Sequence, residues 1–238
     1  MIGKIILGFF TASIAAVLIF SVVPVPLTPL MLIRPVQSAF TGKWVGINKN
    51  WVPLEEISPN IVRSVLKAED DRFFEHRGFD FMAIQKAYRY NQTHRNKKGA
   101  STISQQTAKN VFLWPHRDWI RKGFEAYFTV LIETVWSKNR IMEVYLNVIE
   151  LGPGVYGVEA ASQKYFHRSA RKLNASQSAL LAAVLPNPRK LRIDRPSSYV
   201  VGRQYRILNR VSPMMPKTKE ASLLDFFDLK FEDDDGAE

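Results

Sequence analysis

The sequence contains no cysteine. That excludes disulfide bridges and cysteine-ligated zinc, so the fold must rest on core packing alone. Histidine is scarce too: His76, His94, His116 and His167 are the four present, and they lie too far apart in sequence for metal-ligand spacing. No internal repeat is visible, and no two runs alternate convincingly as a strand pair. Charge is missing from one long stretch, since no charged residue occurs between Lys4 and Arg34. Acidic residues are in deficit, 22 against 33 Lys and Arg, for a formal net charge of +11. Such an excess implies an anionic partner: nucleic acid, anionic lipid or a phosphate-bearing substrate.

The uncharged stretch narrows that choice. Ile5 to Val25 is almost continuously apolar, and a helix crossing the hydrocarbon core needs roughly 20 such residues. A cleaved signal has a shorter apolar region, roughly 7–15 residues, and a small-x-small site. Here the run ends instead in Pro24, Pro26 and Pro29. The expectation is therefore an uncleaved anchor over 5–25 behind a cytoplasmic stub, 1–4. Only Lys4 and the amino terminus precede it, which places the bulk of the chain outside the cytoplasm. Nucleic acid then drops out as a partner, and the membrane enters as one.

Residues 26–54, with Pro26, Pro29, Pro35 and Pro53, read as a juxtamembrane connector. Its apolar residues Met31, Leu32, Ile33, Phe40 and Trp44 either rest on the bilayer or cover the core. Hydrophobic residues make up 46% of the chain, so one sizeable domain is expected over 55–215. Residues 216–238 end in an acidic run, Glu232 to Glu238, expected to be disordered.

Within 55–215 the signals are helical. Ser58-Pro59 is an N-cap followed by proline at the first helical position. Val62, Val65, Leu66 and Glu69 then share one face, an odd place for a solvated charge. Asp80 caps a helix to about Tyr90, and Thr102 with Gln105 forms a capping box for one to about Val111. Trp119 to Trp136 carries an apolar stripe of Ile120, Phe124, Tyr127, Phe128, Leu131 and Val135. On another line, Arg117, Arg121 and Glu125 recur every four residues. Further helices are expected from Ser137 to Asn147, Val158 to Phe166, Ala175 to Leu185 and Ser197 to about Val211. The fold class is all-α.

Two dense polar stretches stand out, Lys67 to Asp80 and Gly99 to Asn110. They suggest a cleft built around one carboxylate, met by hydroxyl, amide and cationic groups. Glu69-Asp70-Asp71-Arg72-Phe73-Phe74-Glu75-His76-Arg77-Gly78 reads as E-D-x-x-F-x-x-H-x-G. Gly99 to Gln106 reads as G-[GA]-S-T-I-[ST]-Q-Q. Arg121-Lys122-x-x-Glu125 is R-K-x-x-E, and Lys138 to Asn147 has the spacing K-x-x-I-x-x-x-Y-L-N. Gly154 to Gly157, with Ala160, Ala161, Tyr165 and Phe166, follows. In this order the motifs resemble those of the bacterial peptidoglycan glycosyltransferases, in their monofunctional biosynthetic transglycosylase form.

The resemblance covers about residues 55–190 and implies a lysozyme-like helical domain. It also implies a reaction: the growing glycan, held on undecaprenyl diphosphate, is joined β-1,4 to the free 4-hydroxyl of lipid II with inversion. On this resemblance Glu69 is the general base and Glu125 a second catalytic glutamate that assists leaving-group charge or positions a cation. A carboxylate on a partly apolar face is expected to be a strengthened base. Lys109, Arg117 and Lys122 match donor-site positions, where cations meet the charge of the departing diphosphate. Lys86 stands where many members carry arginine, which grips phosphate bidentately. Ser101 and Gln106 match the polar wall of the cleft, and Ala100 replaces a common glycine. Asp70 adjoins Glu69, and His76 is expected to fix its turn.

No cofactor is required on this reading; Mg²⁺ or Mn²⁺ can bridge the substrate's diphosphate to carboxylates. Lipid II, the glycan strand and the membrane are the implied partners, with other cell-wall synthesis and division proteins as candidates. Two alternatives stay open. A lysozyme-like cleaving enzyme would use one glutamate as an acid on a glycosidic oxygen. A membrane-tethered module binding anionic polymers would explain charge and anchor, though not the motif order.

Overall fold

The computed structural model describes residues 1–212 apart from Thr41, Lys43 and Arg117. The expected acidic tail and the donor-site position Arg117 thus lie outside the described residues. In chain order the helices are α1 (Ile2–Phe20), α2 (Pro29–Ala39), α3 (Pro59–Glu69), α4 (Phe81–Thr93), α5 (Ile103–Phe112), α6 (Trp119–Val135), α7 (Lys138–Val148), α8 (Val158–Phe166), α9 (Ala175–Val184) and α10 (Ser198–Val211). The strands are β1 (Asn48–Lys49), β2 (Glu150–Gly152) and β3 (Val155–Tyr156). The chain divides into two compact units. The first comprises Met1–Ile47 and His76–Ile149; the second comprises Asn48–Glu75 and the chain from Glu150 onward.

The all-α class holds, with one correction. A small sheet is present, in the order β1-β3-β2, with β1 parallel and β2 antiparallel to β3. Its strands are two or three residues long, too short for alternation to register. A second difference concerns residues 29–39, which form α2. Thr28 Oγ1 accepts from the Met31 amide (3.4 Å) and Pro29 occupies the first helical position, where proline costs no hydrogen bond. Met31 is fully buried, so it belongs to the core, whereas Leu32, Phe40 and Trp44 are exposed.

In the first unit, α1 is long and apolar enough to cross a membrane, with a mean hydropathy of 2.1 over Gly3–Phe20. Helix α5 packs on α6 and α7. The core there is Ile103, Ile132, Ile141, Met142, Tyr145 and Leu146, all fully buried, with the Phe112 and Phe128 rings stacked at 4.4 Å. Helix starts are set by side-chain caps: Asp80 Oδ1 accepts from Ala83 N (2.8 Å), Asp118 Oδ1 from Arg121 N (2.7 Å), and Ser137 Oγ from Arg140 N (3.1 Å). The expected stripe on α6 is corrected. The buried line is Arg121, Glu125, Phe128, Thr129 and Ile132, while Ile120 and Val135 are exposed and Phe124 and Tyr127 meet α1. A mixed line can go inside because its charges neutralise each other.

In the second unit α9 packs on α3 and on α10, and α10 also packs on α3. Ser178, Ala179, Ala182 and Ala183 on α9 are buried and small, which lets neighbouring backbones approach closely. Ser58 Oγ donates to the Leu173 carbonyl (2.8 Å) and Glu159 Oε2 accepts from Ala170 N (2.6 Å), tying the loop after α8 to the start of α3 and to α8 itself. Gly152 is required by close approach: a Cβ there would lie 2.2 Å from the Tyr165 hydroxyl.

Candidate active site

In the second unit, Glu69 is the last residue of α3. Ser58 Oγ accepts from Asn60 N (3.3 Å) to start that helix, and Ile61, Val62, Val65 and Leu66 anchor its buried face. The register carries Glu69 inward, so its side chain is only 15% exposed. A carboxylate at a helix C-terminus faces the negative pole of the helix, which is unfavourable. The structure offsets this with α10. Arg203 Nη2 donates to Glu69 Oε1 at 3.1 Å and reaches the Ala68 carbonyl at 3.5 Å. Arg210 donates to the Lys67 carbonyl (2.6 Å) and to the Asp71 carboxylate (2.5 Å). Two arginines thus cap the last-turn carbonyls of α3 and balance the acids beside them.

A guanidinium from α10 thus shares the partly apolar face that carries Glu69. Sequence reasoning missed Arg203 and Arg210. The sequence shows that they are seven residues apart on the side of α10 that buries Val200, Ile207 and Val211, but not which helix that side meets. Asp70, the C-cap of α3, is buried.

In the first unit, Glu125 is 3% exposed and doubly paired. Arg121 Nη1 donates to its Oε2 at 2.8 Å, and Lys122 Nζ donates to its Oε1. Lys122 is the more exposed cation, 43% against 10% for Arg121. Arg121 and Glu125 therefore form an internal pair that holds an outward lysine. Asp118, the N-cap of this helix, titrates below the ordinary aspartate range. The main cause is the Arg121 backbone N–H, followed by the Trp114 indole N–H.

The polar stretch before α5 is fixed by its capping box. Thr102 Oγ1 accepts from Gln105 N (3.2 Å), and Gln105 Oε1 accepts from Thr102 N (3.0 Å). Thr102 Oγ1 also donates to the Gly78 carbonyl at 2.7 Å, joining this stretch to the end of the first motif. Gly78 has φ +88°, and a Cβ there would sit 2.7 Å from Thr129 Cγ2, so both conformation and space demand glycine. Ser104 Oγ and Lys138 Nζ (2.8 Å) both donate to Glu133 Oε1 beneath the same turn. Ser101 is exposed at the head of α5, Lys109 is half-buried in its last turn, and Lys86 is exposed on α4. Gln106 is half-buried, and its amide oxygen accepts from the Tyr145 hydroxyl at 3.3 Å. His76 is buried.

The structure brings Lys122 to Glu125 directly and ties the first and second motifs through Thr102. It assigns Glu69 to the other unit, with Arg203 as its partner. Chemically, unit two presents an oriented, charge-balanced carboxylate, and unit one presents cations, a hydroxyl and an amide on helices rigidly capped at their starts.

Comparison with known proteins identifies the family. A family model described as Transglycosylase matches residues 37–212. The chain is 70% identical over 234 residues to a biosynthetic peptidoglycan transglycosylase of Bdellovibrio bacteriovorus, covering 98% of this chain and 94% of that protein. It is 50% identical over 214 residues to one of Bacteroides thetaiotaomicron (90% and 86% covered) and 51% identical over 211 residues to one of Caulobacter vibrioides (87% and 90% covered). With helices bearing the ordered motifs, Glu69 oriented from α10 and an apolar helix ahead of them, the chain belongs to the lysozyme-like biosynthetic peptidoglycan transglycosylase family.

Proposed function

We propose that this protein is a peptidoglycan glycosyltransferase that polymerises lipid II into β-1,4 glycan strands and releases undecaprenyl diphosphate. The observation that carries the reading is the Glu69 carboxylate, inward-facing at the end of α3 and held by Arg203. Inversion at the anomeric carbon needs attack from the face opposite the diphosphate. Glu69 accepts the proton of the acceptor 4-hydroxyl as that oxygen attacks. The C–O bond to the diphosphate breaks, and the diphosphate departs with the electron pair and gains negative charge. Preorganised cations lower the barrier by meeting that charge. Lys122, held by Glu125, is assigned that task; Lys86, Lys109 and Arg117 are proposed to share it, on the family motif alone. Glu125 acts by positioning the cation, since both its oxygens already bind donors. Ser101 and Gln106 hydrogen-bond sugar or phosphate.

Among the described residues no three His, Asp or Glu side chains gather into a metal cage. Mg²⁺ or Mn²⁺ bridging the substrate's diphosphate to carboxylates is compatible with this reading and not required by it. The protein is assigned to the bacterial cytoplasmic membrane as a single-pass protein with the catalytic domain on the periplasmic side. Support comes from α1 and from the position of Lys4 before it. Other cell-wall synthesis and division proteins are proposed partners. Incubation with lipid II and, separately, with finished peptidoglycan tests the reading. Polymer growth on the first is expected; solubilised muropeptides from the second, without polymer growth, would overturn it.

A further inference from the structure

The end of α1 is held by side chains that the reaction chemistry does not use. A helix leaves its last four carbonyls without intrahelical partners. In α1 these belong to Val17, Leu18, Ile19 and Phe20. Ser21 supplies its amide to Val17 (3.0 Å) and its hydroxyl to Leu18 (2.6 Å), and the Val23 amide serves Ile19 (2.9 Å). The remaining donors come from the junction of α6 and α7. Trp136 Nε1 donates to the Val17 carbonyl at 2.8 Å. Arg140 donates to the Phe20 carbonyl through Nε (3.1 Å) and Nη2 (2.9 Å), and Nη2 also donates to the Val23 carbonyl.

A cation at a helix C-terminus is favoured by the helix dipole. Here it is only 13% exposed, and Glu143 pairs with it at 2.6 Å. Burial draws the Arg140 guanidinium below its ordinary range, against the opposing pull of Glu143. Further along α1, the Ser13 and Tyr127 hydroxyls are 2.7 Å apart, and Phe9 and Phe10 lie against Phe124 and Tyr127 at 5.3 and 5.5 Å. Ser13 and Val17 are buried while Leu7, Leu18 and Ile19 face outward. Residues 10, 13, 17 and 20 recur at helical spacing, so α1 meets the unit along a packed seam.

We propose that Trp136 and Arg140 are positioning residues that clamp the C-terminal end of α1, so that anchor and first unit turn as one body and meet the bilayer at a fixed height and tilt. The inference rests on the proposed lipid-linked substrate, which lies in the same bilayer as α1. A clamped unit is always presented to that substrate; a loosely tethered one is presented only part of the time. When only a fraction of molecules is competent to bind, apparent affinity falls by that fraction. Loss of the clamp therefore raises KM, expressed as mole fraction of lipid II in the bilayer, and leaves kcat unchanged. A fold defect would instead lower kcat through loss of active molecules.

The test uses the full chain with Arg140→Met, and Trp136→Phe as a milder variant that removes the indole donor and part of the buried ring. Because the chain has no cysteine, spin labels on Leu7→Cys and Val130→Cys, both exposed, report the α1–α6 separation in vesicles. The expected result is a broadened distance distribution with Arg140→Met, a KM in proteoliposomes raised about tenfold, and an unchanged kcat. In detergent micelles, where substrate meets the protein from any direction, KM should differ from the parent's by less than about twofold. Trp136→Phe should move the same readouts less far. A distribution as narrow as the parent's in both variants, or a loss in kcat with KM unchanged, overturns the clamp. If the unsubstituted protein leaves lipid II unpolymerised, the functional reading fails instead, and the spin-label distances alone decide whether the clamp exists.

Discussion

Removing the Arg203 guanidinium is the perturbation whose consequences the structure sets most tightly. In Arg203→Met the stem remains, but Glu69 Oε1 loses its 3.1 Å donor and the Ala68 carbonyl its cap. The two side chains are 22% and 15% exposed. They thus lie between an exposed pair, where about 0–1 kcal/mol is typical, and a buried pair whose rupture costs about 3–5 kcal/mol. A hydrogen bond to a charged group contributes about 1.5–3 kcal/mol, so a loss of about 2 kcal/mol is expected. For a chain of this size that lowers Tm by roughly 4–8 °C. The rate should fall further than stability explains, because Glu69 is misplaced in molecules that remain folded; a small misplacement costs roughly 10–100-fold. Lipid II polymerisation and thermal denaturation should be measured together on Arg203→Met, Arg203→Lys, Glu69→Met and the Arg203→Met/Glu69→Met double variant. The Lys variant should recover part of both losses, and stability should show a coupling of about 1–2 kcal/mol between the sites. A fully active Arg203→Met, or additive stability losses, would refute the idea that α10 orients the base.

Other expectations follow from the same geometry. Gly152→Ala should destabilise the protein by about 2–3 kcal/mol, because the new Cβ meets the Tyr165 hydroxyl. Tyr165→Phe should restore much of the loss, readable as Tm of the single and double variants. Gly78→Ala combines positive φ with a clash on Thr129 and should cost about 2–4 kcal/mol by denaturant unfolding. Asp118 has its folded pKa depressed by the Arg121 N–H and the Trp114 indole. Its contribution to α6 is therefore fully present above the ordinary aspartate range and is lost as pH falls through the lower folded value. Asp118→Asn, which keeps a capping oxygen, should flatten that acid-side decline in Tm; an unchanged decline would show that other groups carry it.

Much of this molecule can be read from the chain because helix starts are chemical statements. Ser58, Asp80, Thr102 and Ser137 each accept from the expected first-turn amide. Gly and Pro closed the intervening segments where they stand. What escaped has physical reasons. Strands β1 to β3 are two or three residues long, too short for an alternation of period two to repeat. Helix α2 hid behind prolines that look like breakers, though Pro29 opens it and Pro35 sits inside. On α6 the apolar stripe drew the core to the wrong face, because a neutralised Arg121–Glu125 pair buries more easily than either charge alone. Glu69 could be chosen from its register and motif. Arg203 could not, because the pairing of α10 with α3 is tertiary and spans 134 positions of sequence.

The proton-accepting role of Glu69 is the claim on which the rest depends. Glu69→Gln keeps the shape and the Arg203 contact through the amide oxygen but cannot take a proton at neutral pH. Lipid II polymerisation by purified Glu69→Gln, with folding checked by circular dichroism and Tm, tests it directly. The account predicts a folded protein without detectable polymer; a folded variant that polymerises at the parent's rate would contradict it.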